Sequence, residues 1–323
     1  MATAENAKLQ YEAGQTAYAM AALTDTGDAT TFTGAAAPWS GRSGYEPDVR
    51  PDGVISGCAI TPNGNNSVTV AIGTAYIGGQ LVTVQAGNVA VPSATADTDT
   101  HIVYSICVGT DGVPSAEPGA SHTAFGARGT DGGAPLVPVD DIELGQVSLT
   151  ARGTVAITAA MIAQVPGTSQ ERFDVPLHVE TDAYLGRVTF GDAMDAIHVG
   201  PATKKVYASY AVPSFSNIPR VKDFVPPENT RSVSSEQIYG GTVGSSSQSL
   251  GQGSFVAFLD NGITDPLIQL KNENLWFKFY PDRAKSAHLM AQGYLGVART
   301  FPAGAQIQAS CTISAEAAAQ EIA

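Results

Sequence analysis

Charge is scarce in this chain of 323 residues. Asp, Glu, Lys and Arg make up 15% of it, where a soluble globular protein usually holds about a quarter. A free monomer with so few charges is poorly protected against association, so the composition suits a surface covered by copies of itself. Basic residues are scarcer still, 17 against 30 acidic, for a net charge of −13. That argues against a basic groove, because gripping nucleic acid rests on neutralising phosphates. The acid is also uneven. Residues 1–172 hold 16 acidic and 6 basic residues, residues 173–323 hold 14 and 11, so the first half is the more acidic layer.

Cysteine is nearly absent. Cys58, Cys107 and Cys311 cannot all pair within one chain, and each sits in an apolar or alternating stretch. They read as small buried residues. No apolar window approaches the length needed to cross a bilayer. The opening MATAENAKLQYEAGQ is polar and mixed in charge, unlike a signal peptide. The expectation is a protein made in the cytoplasm and soluble until it assembles.

Signatures of catalysis are thin. Five histidines, at 101, 122, 178, 198 and 288, stand at no metal-ligand spacing from one another. Asp97-Thr-Asp-Thr-His101 alternates oxygen and nitrogen ligands but lies between two strand-like runs, where an acidic turn is the simpler reading. No G-x-S-x-G elbow and no G-x-G-x-x-G or Walker loop occurs. Asp140, Asp141 and Glu143 offer paired carboxylates of the kind a glycan hydrolase needs, yet an acidic lead-in to a strand is commoner. Trp39, Tyr45 and Trp276 are of the type that stacks on sugars, though Trp276 lies in an apolar strand and reads as core. The sequence therefore reads as a non-enzyme, with no cofactor and no metal.

What the chain does contain is a run of short strands separated by Gly, Pro, Asp and Asn turns. VISGCAI (54–60), SVTVAIGTAYIGG (67–79), QLVTV (80–84), NVAVP (88–92), HIVYSICVG (101–109) and IELGQVSLT (142–150) predict an all-β sandwich or barrel. Gly78-Gly79 predicts a hairpin turn. Residues 18–23 read as a strand or a short helix, and residues 126–138 as a surface loop. Val155–Arg172 is the boundary candidate, with Thr158 capping a short helix over 159–164. Two domains follow, 1–172 and 173–323. In the second, the alternating stretches are 176–192, 204–213, 254–260, 274–281, 293–302 and 305–315. Thr264, followed by Asp265 and Pro266, permits a short helix there. Pro226–Gly253 is long, polar and rich in Ser and Gly, and reads as a long loop. Its main apolar residues, Val233, Ile238, Tyr239, Val243 and Leu250, are the contact candidates toward an adjacent subunit. Loops this long are usually functional or disordered.

The last 150 residues resemble the tail tube proteins of long-tailed phages, of the lambda-like type. IPRVKDFVPPEN (218–229) resembles that family's strand and proline lead into a long loop, and GQGSFVAF (251–258) the strand returning from it. NLWFKFYPD (274–282) and GYLGVARTFPAGAQIQASCTIS (293–314) resemble the later strand and the closing hairpin. The segment 261–273 departs from the family, whose helix there is clearer. Residues 11–172 resemble the N-terminal part of long major tail proteins of transposable, Pseudomonas-type siphophages. That likeness rests on VRPDGVISGCAITP (49–62), AYIGGQ (75–80), GARGTDGGAPLVPVDDIELGQV (126–147) and ERFDVP (171–176).

The resemblance implies a virion tail protein, assembled in the host cytoplasm, that forms stacked rings, hexameric in the family, around a channel for DNA ejection. Residues 173–323 would build the wall as a β-barrel or sandwich, and 1–172 would decorate it. Implied partners are further copies of itself and the tape measure, tail terminator and distal tail proteins, with DNA only in transit and no membrane. A baseplate or tail-fibre component, its first domain binding a host surface, is the competing reading.

Overall fold

Apolar residues alternate with polar ones through both halves, and the computed structural model is nearly all β, with helical content confined to single turns. It describes residues 6–94, 98–164, 178–200 and 202–323. The domain boundary expected at 172 lies outside the described residues, as does the ERFDVP motif. By contacts the chain forms two units, each discontinuous: residues 1–18, 38–47 and 210–323, and residues 19–37 and 48–209. The first strand and the segment around Trp39 thus belong with the C-terminal strands, and residues 173–209 with the earlier ones.

The first unit is built on an antiparallel sheet. Its order is Val221–Val225, Gly253–Leu259, Ile307–Ser314, His288–Thr300, Asn274–Tyr280, Lys8–Ala22 and Val206–Asn217, the last two of which run on into the other unit. Strict alternation along Gly253–Leu259 sends Phe255, Ala257 and Leu259 to one face. There Phe255 is paired to Cys311 and Leu295 to Ile313. Leu9, Leu275 and Phe277 complete this core, and Leu267, Ile268 and Leu270 of a single helical turn pack into it. That turn starts one residue later than the sequence suggests. Asp265, not Thr264, is its N-cap, and the Asp265 carboxylate accepts the N–H groups of Asn261 and Gly262 instead of capping the helix.

The opposite face is covered by residues 38–47. Trp39 stacks on Tyr210 at 4.6 Å, and Tyr210 on Tyr18 at 5.0 Å. Beneath them Glu12 is fully buried. It accepts Gln15 Nε2 at 2.9 Å, the Trp276 backbone N–H at 3.1 Å and the Ser40 hydroxyl. Trp276 Nε1 donates to the Trp39 carbonyl at 2.7 Å. Gly41 passes so close that a Cβ there would lie 2.5 Å from Gln292 Nε2.

The second unit is layered around a larger core of Val54, Val68, Val70, Ile77, Val84, Ile106, Leu144 and Leu149, among others. Two of the predicted long strands are broken. VISGCAI divides at Gly57-Cys58, where Cys58 takes a φ of +59°, and SVTVAIGTAYIGG divides at Ala71-Ile72. Both breaks fall at one corner, where the chain leaves the sheet of Gly53–Gly57, Gly73–Ile77 and Gln80–Val84 for that of Ile60–Pro62, Ser67–Val70 and Gly87–Ala90. The corner is tight: a Cβ on Gly57 would sit 2.3 Å from the Ile72 carbonyl oxygen. The Gly78-Gly79 turn forms as expected, with both residues at positive φ.

In a further sheet of this unit the strand Ile102–Val108 is buried at every position. Ile102, Tyr104, Ile106 and Val108 enter the main core. Cys107 joins Val137 and Ile197 in a separate small cluster, so both faces are covered. All three cysteines are buried. The short helix expected over 159–164 is a 3-10 turn at Ala159–Met161 only, and Thr158 makes no side-chain cap bond. Its second half, Ile162–Gln164, is instead recruited as a strand against Gly145–Val147. Pairing into a waiting sheet edge outweighs a weak local helix preference.

Candidate functional site: the exposed ribbon

Pro226–Gly253 is not a loop. Asn229–Ile238 and Gly241–Leu250 form a two-stranded ribbon paired from Asn229↔Leu250 to Ile238↔Gly241, closed by Tyr239-Gly240 with Gly240 at φ +96°. The Ser-rich composition that suggested disorder supplies a ladder of cross-strand hydroxyl bonds. Ser232–Ser247 and Ser234–Ser245 each span 2.7 Å, and Thr230–Ser249 spans 2.9 Å. Ser and Thr here make strand contacts with each other that a period-2 count of apolar residues overlooks.

The ribbon stands away from the core. Every described side chain from Asn229 to Ser249 is exposed. Val233 is 75% exposed and Tyr239 fully so, while Leu250, at the base, is half-buried. Of the five contact candidates, the structure therefore presents Val233 and Tyr239 to solvent. The side chains of Ile238 and Val243 lie outside the described set. A two-stranded hairpin wet on both faces is marginal in water, and hydroxyl bonds exposed to water contribute little net. Among the described residues each ribbon strand pairs only with the other, so each keeps one edge of N–H and C=O groups outside any sheet.

Proteins usually blunt such edges with Lys, Pro or a bulge. Residues 229–250 contain no Lys and no Pro, and only Arg231 and Glu236 are charged. The edge strand Val221–Val225, by contrast, carries Lys222, a bulge between Lys222 and Val225, and Asp223 at φ +55°. The base of the ribbon is held by Gly251 N–H to the Glu228 carbonyl and Ala319 N–H to the Pro227 carbonyl, both at 2.8 Å.

The acidic candidates are placed differently. Asp140 Oδ1 accepts Lys205 Nζ at 3.1 Å. Burial, then the charges of Glu117, Asp111 and Asp140, push the Asp141 carboxyl up. Glu143 is buried, with Arg128 Nη2 at 2.6 Å on one oxygen and Ser105 Oγ at 2.5 Å on the other. Arg128 was not singled out in the sequence. The only signal for it was one of few basic residues in a loop preceding an acidic run. Asp97 lies outside the described residues, and among those described no group of three or more His, Cys, Asp and Glu is placed to hold a metal. His101 Nδ1 instead lies 2.9 Å from Thr100 Oγ1, its ring edge-on to Phe125. Trp39 and Trp276 are core residues, and Tyr45 is exposed beside Arg42. No helix among the described residues is long and apolar enough to cross a membrane. Neither a family model nor a curated protein matches the chain.

Proposed function

We propose that the chain is a structural subunit that assembles with copies of itself, as the tail tube subunit of a long-tailed phage. The observation that carries the reading is the unprotected ribbon Asn229–Leu250, exposed on both faces. In stacked rings it becomes the arm that reaches an adjacent subunit, its open edges pairing by β-augmentation and Val233 and Tyr239 burying apolar area. The low charge content supports the same reading, since covered surface needs few charges. The tube would carry DNA without holding it.

Excision tests this. Asn229 and Leu250 are directly paired, so a short Gly linker can replace the residues between them. The expected result is a folded protein, with unchanged melting behaviour, that no longer forms rings or tubes in negative stain while the intact chain does. If the intact chain stays strictly monomeric at high concentration and with tail-initiating components, the reading fails.

A further inference from the structure

The ribbon leaves the sheet of the first unit at one end, and an exposed apolar patch closes the same sheet at the other. Glu228 and Gly251 hold the ribbon base beside Gly253, which pairs with Ile313. The strand then runs to Leu259, paired with Ile307, and turns into Ile263. At about 3.3 Å per residue, this strand sets the two ends about 20 Å apart.

A tight turn builds the patch. Asp265 accepts the N–H groups of Asn261 and Gly262, and Asn261 Oδ1 those of Ile263 and Thr264. Ile263 is left 62% exposed. Phe301, 57% exposed, lies on Gly262, where a Cβ would come 3.0 Å from its Cε1. Arg299 Nη1 donates to the Gly262 carbonyl at 2.7 Å. That bond fixes the side chain and uses one of its N–H groups. Among the described residues no carboxylate meets the rest of the guanidinium. The acids of the turn are engaged elsewhere, Asp260 with Arg220 and Asp265 with the turn amides. Two apolar side chains beside a fixed, uncompensated cation fit an occupant that carries an aromatic ring next to a carboxylate.

The ribbon tip has that pair. Tyr239 is fully exposed, and Glu236, three residues before it, is exposed with no ion-pair partner among the described residues. A ring so exposed rests on nothing in its own chain, so the patch it fits belongs to another copy. We propose that the ribbon tip of one copy docks on the Ile263–Phe301 patch of the next, with Tyr239 covering the apolar side chains and Glu236 pairing with Arg299. This rests on the assembly reading and names the surface that receives the arm. Because tip and patch lie at opposite ends of one sheet, the contact is head-to-tail: every added copy brings a new free tip or a new free patch.

A charge swap tests the docking. Glu236→Arg and Arg299→Glu are made singly and together in the full chain, and assembly is followed by sedimentation. Each single variant should need about tenfold more protein to assemble, since like charges then face each other. The double variant should return to within about threefold of the parent, because the pair is restored with its signs exchanged. Its recovery also shows that Arg299→Glu leaves the fold intact. The docking is overturned, with the ribbon still the arm, if excision of the ribbon stops assembly while both single variants assemble like the parent. It is overturned equally if the double variant assembles no better than the single ones. If the intact chain itself stays monomeric, the assembly reading falls and the docking with it.

Discussion

Three buried acids show how differently a carboxylate is accommodated here. Glu12 is surrounded by N–H and O–H donors, and Glu143 by a guanidinium, an amide and a hydroxyl. Asp52, 3% exposed, is met by the turn amides of Gly78 and Gly79, with Gly78 N–H at 2.8 Å, and by the charge of Lys205. Burial outweighs those bonds and pushes its carboxyl up to about 6 from 3.8. The folded chain therefore holds that proton more tightly than the unfolded chain does. Its contribution to stability is full below about 4 and is lost as pH rises through about 6. Asp52→Asn keeps an acceptor for Gly78 and removes the buried charge. Thermal melts should show the variant more stable at pH 8, on the order of 3 kcal/mol, with the gap closing by pH 4. A gap independent of pH would refute the assignment. His198 works against this trend. It is 1% exposed, its Nδ1 lies 3.0 Å from the Pro138 carbonyl, and burial lowers its pKa. Its stabilising contribution is lost as pH falls from its unfolded value of 6.5. At the residue scale the cysteines and Trp276 were legible, because apolar neighbours announce burial. Glu12 was not, since nothing in a weakly patterned Ala- and Thr-rich segment signals that a carboxylate will turn inward.

At the scale of elements, strands were legible wherever large apolar residues alternate, as in Gly253–Leu259 and Ile307–Ser314. They were missed where hydroxyls replace them. The ribbon read as a loop because its cross-strand partners are Ser with Ser, and its two-residue turn is Tyr-Gly, not Asn-Gly. The corner at Cys58 was missed for another reason: only the approach of Ile72, distant in sequence, requires it. The ribbon's edges give a sharper test than excision. Val233→Lys with Gln237→Lys places two cations on one strand without removing a backbone hydrogen bond. Sedimentation should show assembly shifted to at least tenfold higher protein concentration. Rising salt should restore it in part, because the repulsion is screened. Normal assembly by this variant would mean that the ribbon edge makes no contact in the assembled state.

At the scale of the whole molecule, the all-β class was legible from turn spacing, but the partition of the chain was not. Local composition cannot show that Lys8–Ala22 pairs with Asn274–Tyr280. The chain's net charge of −13 gives a further expectation. Several of the few lysines are already engaged. Lys205 is paired with Asp140, and Lys278 sits half-buried 4.1 Å above the Phe215 ring. Fluorescence anisotropy with labelled duplex DNA should therefore show no binding at physiological salt. A salt-sensitive Kd tighter than roughly 10⁻⁶ M, the strong end of non-specific DNA binding, would count against the tube reading.

The pairing of Lys8 with Tyr280 also sets a timetable for synthesis. The strand Lys8–Ala22 is made before both of its sheet neighbours, Val206–Asn217 and then Asn274–Tyr280, the later of which emerges only after all the residues between. At about 5–20 residues per second, that delay is roughly 15–50 s. The strands of residues 53–164 find their partners among themselves and are free to pack meanwhile. The N-terminal strand therefore waits on a nascent chain that already carries folded structure. Its place in the sheet is first offered by Val206–Asn217 and is completed by Asn274–Tyr280.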